Sequence, residues 1–205
     1  MGLVKGPPPA AEAVPLAARD IDALLIDLVA PDSGVRRHAA RDLGAHPDAA
    51  MALCDRLQAE TSSSVRAVLL TSLIRRQSPA VAARLTTFLR SDDTPLRNAA
   101  IEALQEMPDA VAPYLQALLV DPDSDIRIFA VNIVATLRHR RAPEWLTVVI
   151  RSDAHVNVCA AAVDGLSEVG GPDALADLHA LRHRFADNDF MEFAIDTAIR
   201  RIGQD

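Results

Sequence analysis

The chain has 205 residues, a formal net charge of −7, and 50% hydrophobic but only 3% aromatic side chains. That acidity argues against a nucleic-acid surface, which needs a basic stripe. No apolar run is long enough to cross a membrane, and Cys54 and Cys159 lie far apart with no CxxC pair, which points to a reducing, cytoplasmic compartment. A single globular core of this size normally uses more aromatics, whereas stacked thin helices can be filled with Ala, Leu, Val and Ile. Residues 1–14, MGLVKGPPPAAEAV, are expected to be disordered. They lack the apolar stretch of a signal peptide, and Gly6 stands where N-myristoylation wants Ser or Thr. Residues 15–205 are expected to form one domain, opening with an amphipathic helix from Leu16 to Val29 that turns Arg19, Asp20, Asp22 and Asp27 outward.

From there an apolar residue followed by Arg recurs at Val35-Arg36, Val65-Arg66, Leu96-Arg97 and Ile126-Arg127, at a period of about 31 residues. Each copy starts a stripe at i, i+4 and i+8: Val35, Ala39, Leu43; Val65, Leu69, Leu73; Leu96, Ala100, Leu104; Ile126, Ala130, Val134. Weaker copies follow at Val158, Ala162, Leu166 and at Phe190, Ala194, Ala198. This spacing places one stripe on one face of a helix. A proline-bearing turn follows each stripe, at Pro47, Pro79, Pro108, Pro143 and Pro172. Pro is tolerated in the first turn of a helix, so each repeat reads as helix A, turn, helix B. Asp32, Ser62, Asp93, Asp123 and Asp187 each precede a stripe by three residues and are expected to cap helix A. The expected fold is an all-α, right-handed solenoid of about five helix pairs with a leading and a closing helix.

The combination of Asp, apolar-Arg, Ala and Leu at these offsets, best seen in DSGVRRHAARDLGAHPDAAMALCDRL, resembles the HEAT-like repeats of bacterial proteins, including the short type named after phycobilisome lyase subunits. The resemblance covers roughly residues 31 to 203. The expected role is a non-catalytic protein-binding scaffold or regulatory adaptor that presents a curved helical surface to another protein. The resemblance also brings alternatives: a chromophore-lyase or chaperone-like subunit, and a HEAT-like DNA glycosylase. The last needs a basic, aromatic-lined face that this chain lacks. In this class the Asp/Arg pattern staples neighbouring repeats, so Arg36, Arg66, Arg97 and Arg127 are expected to pair with acids at repeat boundaries such as Asp93 and Asp123; a row of anion-binding arginines is the alternative.

Four further groups bear on function. Arg138, His139, Arg140 and Arg141 form the densest basic cluster, in the turn of the fourth repeat, where a rigid scaffold can present binding residues. On helix B, Arg84, Gln116 and Arg151 are expected to face outward with Asp48, Asp55, Thr87 and Asp177, and Trp145, in the first turn of its helix, is expected to be partly exposed; Arg84, Gln116, Trp145 and Arg151 are expected to join the basic turn in binding the partner. Tyr114 aligns with Leu53 and Leu85 and is expected in the core. Cys159 stands in the register of the ladder arginines, four residues after His155. It reads either as a small buried substitute for Arg or as a thiol with a pKa lowered by the helix N-terminus. Asp153 is the one local residue that could join His155 and Cys159 around a metal, and His179 and His183 are i, i+4 without an HExxH motif. No His-Glu dipeptide occurs, against the di-iron HEAT-repeat hydroxylases. No metal or cofactor is therefore expected. The closing helix, DFMEFAIDTAIRRIG, carries apolar residues over more than one stripe, so Phe193 or Ile195 is expected to form an exposed patch for self-association or partner docking.

Overall fold

The computed structural model describes residues 20–203. The expected loose tail and the start of the leading helix lie outside them. Among the described residues there is no strand. The leading helix α1 (Ile21–Asp27) is followed by α2 (Ser33–Leu43) with α3 (Ala50–Ala59), α4 (Ser63–Ile74) with α5 (Pro79–Phe88), and α6 (Thr94–Gln105) with α7 (Pro108–Leu118). Then come α8 (Ser124–Thr136) with α9 (Ala142–Ser152), α10 (Val156–Val169) with α11 (Leu175–Arg184), and the closing helix α12 (Asp189–Ile202). The prolines do what their lost N–H allows. Pro79 and Pro108 begin their helices, Pro143 sits in the first turn of α9, and Pro47 and Pro172 open short 3-10 turns that feed α3 and α11.

The A helices α2, α4, α6, α8, α10 and α12 stack side by side in one layer, while α3, α5 and α7, and likewise α9 and α11, stack in the second. The stripes point between the layers. Ala39, Leu43, Leu69, Leu73, Ala100, Leu104, Ala130, Val134, Ala162 and Leu166 have no exposed surface. Each fully buried Leu or Val contributes on the order of 1.5–3 kcal/mol, and the core these side chains form runs from Leu24 to Ile202. Small residues set the spacing. Gly165, inside α10, leaves room for α8: a Cβ there would lie 2.8 Å from the Ala135 Cβ and 3.0 Å from Leu146 Cδ1.

Four expectations need correction. The closing helix is capped by Asn188, whose Oδ1 accepts the Met191 N–H at 3.0 Å, not by Asp187. Its buried stripe is Met191, Ile195, Ala198 and Ile202, one residue later at its start than the period suggests, so Phe190 turns outward. Ser62 precedes α4, but its hydroxyl meets Ser64 Oγ and takes no first-turn N–H; Glu60 accepts the Ser62 N–H instead. Tyr114 is half-buried, its hydroxyl reaching back one repeat to the Pro79 carbonyl at 3.1 Å.

Candidate functional site

The ladder arginines have a common backbone target. Each donates to a carbonyl five or six residues upstream, in the connection leaving the preceding helix, α1 for Arg36 and a helix B for the others. Arg36 reaches Ala30 and Pro31, Arg66 reaches Glu60, Arg97 reaches Ser91, and Arg127 reaches Asp121 and Pro122, at 2.6–3.3 Å. These carbonyls lie beyond a helix end and lack intrahelical donors. The acids that complete each contact sit one repeat further on. Arg36 makes a fork of two 2.8 Å bonds to Glu60, Arg66 meets Asp93 at 2.6 Å, and Arg127 meets Asp153 at 2.6 Å. Asp123 does not serve Arg97. Its carboxylate caps α8 through the Asp125 N–H, and Arg97 instead lies over the Phe129 ring, 5.5 Å from its centroid. An aromatic face thus takes the place of an acid in the third repeat.

Glu60 is the most connected carboxylate of the row. It has no exposed surface, and besides Arg36 it accepts from Arg56 at 3.0 Å and from the Thr61 and Ser62 N–H groups. Arg36 foremost, outweighing burial, holds its pKa at about 2.

In the fifth repeat Cys159 occupies the arginine slot and addresses the same kind of target. Its Sγ lies 3.2 Å from the Asp153 carbonyl, six residues upstream. Arg184, from the end of α11, supplies the missing guanidinium, donating to the Arg151 and Asp153 carbonyls and to Cys159 Sγ. Of the two readings of Cys159, the structure agrees with the small buried substitute for Arg, not with a lowered thiol pKa, because burial pushes the thiol up. Burial likewise pushes the Cys54 thiol to about 11. Both thiols are free and buried. With a thiol-specific dye under native, mildly alkaline conditions neither should react, and both should do so once the chain is unfolded; prompt native labelling of Cys159 would contradict this environment. The carboxylate of Asp153 is engaged by Arg127 and the His155 N–H, and His179 and His183 are exposed. Among the described residues no group of three His, Cys, Asp or Glu side chains could hold a metal.

The basic turn is a built loop. His139 stacks on Trp145 with ring centroids 4.7 Å apart, and Arg141 covers the Trp145 ring while forking onto Glu144 at 3.0 Å. Trp145 is therefore 7% exposed, not the partly open side chain expected. Arg138 and Arg140 are left exposed. Among the described residues they share with Arg37, Arg41 and Arg75 the absence of any acidic or carbonyl partner. Arg41, Arg75, Arg138 and Arg140 lie at or just beyond the C-terminal ends of A helices, so they gather along one edge of the stack. Two grooves open there: one of about 490 Å³ that Arg41 and Arg75 both line, and one of about 440 Å³ between Gln105, Glu106, Pro108, Thr136 and Arg138. On the helix-B layer, Arg84 is tied to Asp55 and Gln58, and Arg151 to Asp177 at 2.6 Å, so these two expected partner-binding residues bridge neighbouring repeats. Gln116 is exposed. At the closing helix Phe190 and Phe193 are 64% and 68% exposed, while Ile195 is fully buried.

A family model described as HEAT repeats matches residues 21–105, 50–120 and 111–190. The chain belongs to the HEAT-repeat family. Among solved structures, this HEAT-repeat protein is similar to an engineered protein at 19% identity, with 91% of this chain and 99% of that one covered and a TM-score of 0.44. A designed armadillo repeat protein in complex with a peptide is similar at 14% identity, covering 89% and 99%, with a TM-score of 0.44. The CpcE–CpcF complex of phycocyanin lyase from a Nostoc species is similar at 18% identity, covering 98% and 100%, with a TM-score of 0.37. None of the curated proteins matches the sequence.

Within this HEAT-repeat framework, sequence reasoning missed Glu60, Asp153 and Arg184 as partners in the row. The first two carried a signal: an acid 24 to 27 residues after the ladder arginine marks every ion pair formed. Arg184 carried none, because it belongs to helix B of its own repeat.

Proposed function

We propose that the chain is a non-catalytic protein-binding scaffold or adaptor of the bacterial cytoplasm. It would present its preformed helical surface to an acidic segment of a protein partner. One observation supports this reading above others: cations without partners collect along the C-terminal edge of the A helices in a chain of net charge −7. Ten described arginines meet an acid inside the fold. Of those left over, Arg76, Arg97 and Arg184 are held by backbone carbonyls, whereas Arg41, Arg75, Arg138 and Arg140 are free to meet an acid from outside. Arg138 and Arg140 are held out by a loop that the Trp145 stack makes rigid, which lowers the cost of ordering them on binding. Separate cations beside two grooves suit a short acidic segment; a nucleic-acid backbone would need a longer continuous stripe. Two buried free thiols agree with a reducing compartment.

The test is capture from a lysate of the native organism. Replacing Arg138 and Arg140 with Ser should remove an acidic partner and leave the unfolding midpoint unchanged. Retention of the same partners by the variant would take this edge out of the function. Co-purification of a coloured tetrapyrrole would favour a chromophore-lyase role over a scaffold.

A further inference from the structure

The outward register of α12 creates a second surface, away from the basic edge. Phe190 and Phe193 are one turn apart, and they wall a groove of about 390 Å³ whose floor and opposite side come from Ala160 and Ala161 of α10 and Ala194 of α12. Two exposed phenylalanines over small side chains, in a chain with so few aromatics, form the kind of patch that marks an interface. A groove between two helices that is floored by Ala, bounded one turn beyond Asp164 and Thr197 by the Arg201–Glu168 ion pair, matches the way a helix lays a ridge of apolar side chains into a partner.

Charge selects the occupant. Asp164 lines the groove, and Asp189, in the first turn of α12, lies one turn before Phe193 on the same side of the helix. Among the described residues neither has an ion-pair partner. Arg200 stands a turn beyond, hydrogen-bonded to the Thr197 hydroxyl. The surroundings of the apolar patch are thus net acidic. We infer that the α10–α12 groove is a docking site for an amphipathic helix of a protein partner, with two apolar residues one turn apart seated beside Phe190 and Phe193 and Lys or Arg on its flanks facing Asp164 and Asp189. A second copy of this chain fits less well, since a symmetric pairing sets the same two acids against themselves in molecules that each carry −7. The inference rests on the protein-binding reading above but uses a different surface and the opposite charge.

A synthetic Leu/Lys amphipathic peptide is the probe, with titration followed by anisotropy and by amide chemical shifts. Shifts should concentrate at Ala160–Ser167 and Phe190–Thr197. Phe193→Ser should weaken binding at least about tenfold, as for an exposed aromatic anchor, with no change in the unfolding midpoint. Joint Asp164→Asn and Asp189→Asn should weaken it about three- to tenfold and flatten its salt dependence. The Arg138→Ser/Arg140→Ser variant should bind the peptide as the parent does, which separates failure here from failure of the basic edge. Equal binding of a Leu/Glu peptide, or of a Lys/Ser peptide of the same charge, would overturn the proposal. So would indifference to Phe193→Ser. Sedimentation showing a dimer that Phe193→Ser abolishes would assign the groove to a second copy instead.

Discussion

Glu60→Ala should lower stability by about 3–4 kcal/mol, the range for stranding one member of a buried ion pair. The substitution leaves the Arg36 guanidinium, itself 8% exposed, without its fork, and it also frees Arg56 and two backbone N–H groups. A fall in thermal midpoint on the order of 10 °C should accompany it. Glu60→Gln keeps the shape but not the charge, so its loss should be smaller. The pH dependence follows from the sign of the shift. The Glu60 pKa is depressed to about 2 by Arg36, against an ordinary value of 4.5. Its contribution is therefore fully present above the unfolded pKa and is lost as pH falls from about 4.5 through about 2. Acid titrations of the parent and of Glu60→Gln should diverge at neutral pH and converge toward the lower end of that window. Parallel curves throughout would show that the carboxylate does not stabilise the fold.

The second large effect belongs to Arg127. Arg127→Ala should cost about 2–3 kcal/mol, because it strands the mostly buried Asp153 and removes the donor to the Asp121 and Pro122 carbonyls. Asp153 is raised by burial, but Arg127 and the His155 N–H outweigh that and hold its pKa below the ordinary range. Arg97→Ala should cost about 1 kcal/mol, since it loses a ring contact and one carbonyl but leaves no carboxylate unpaired. Arg140→Ala, an exposed turn cation, should cost under about 0.5 kcal/mol. Denaturant melts that rank the three in this order would establish that the acid one repeat onward, not the arginine alone, couples the repeats. Equal midpoints for Arg127→Ala and Arg97→Ala would refute it.

The period of the Arg signature and the i, i+4, i+8 stripes determined the helix pairs, their number and their core faces, because helix geometry is local and Ala, Leu and Val at those offsets can bury only one way. Proline positions determined where helix B begins, since the missing N–H is harmless in the first turn alone. The candidate site was less legible. Which arginines stay free depends on which acids reach them, and most of those acids lie about one repeat away in the chain, across a repeat boundary. Arg84 and Arg151 therefore read as surface until the stacking of helix B tied them to Asp55 and Asp177. Trp145 read as open until His139 and Arg141 folded over it. The closing helix shows the limit most directly. Its composition announced more apolar surface than one stripe can bury, but the choice between Phe193 and Ile195 turned on a single cap. Asn188 in place of Asp187 starts the buried stripe at Met191, sends Ile195 into the core and leaves Phe190 and Phe193 outside. Both residues can accept a first-turn N–H, so local preference does not separate them; the packing of α12 on α10 and α11 does.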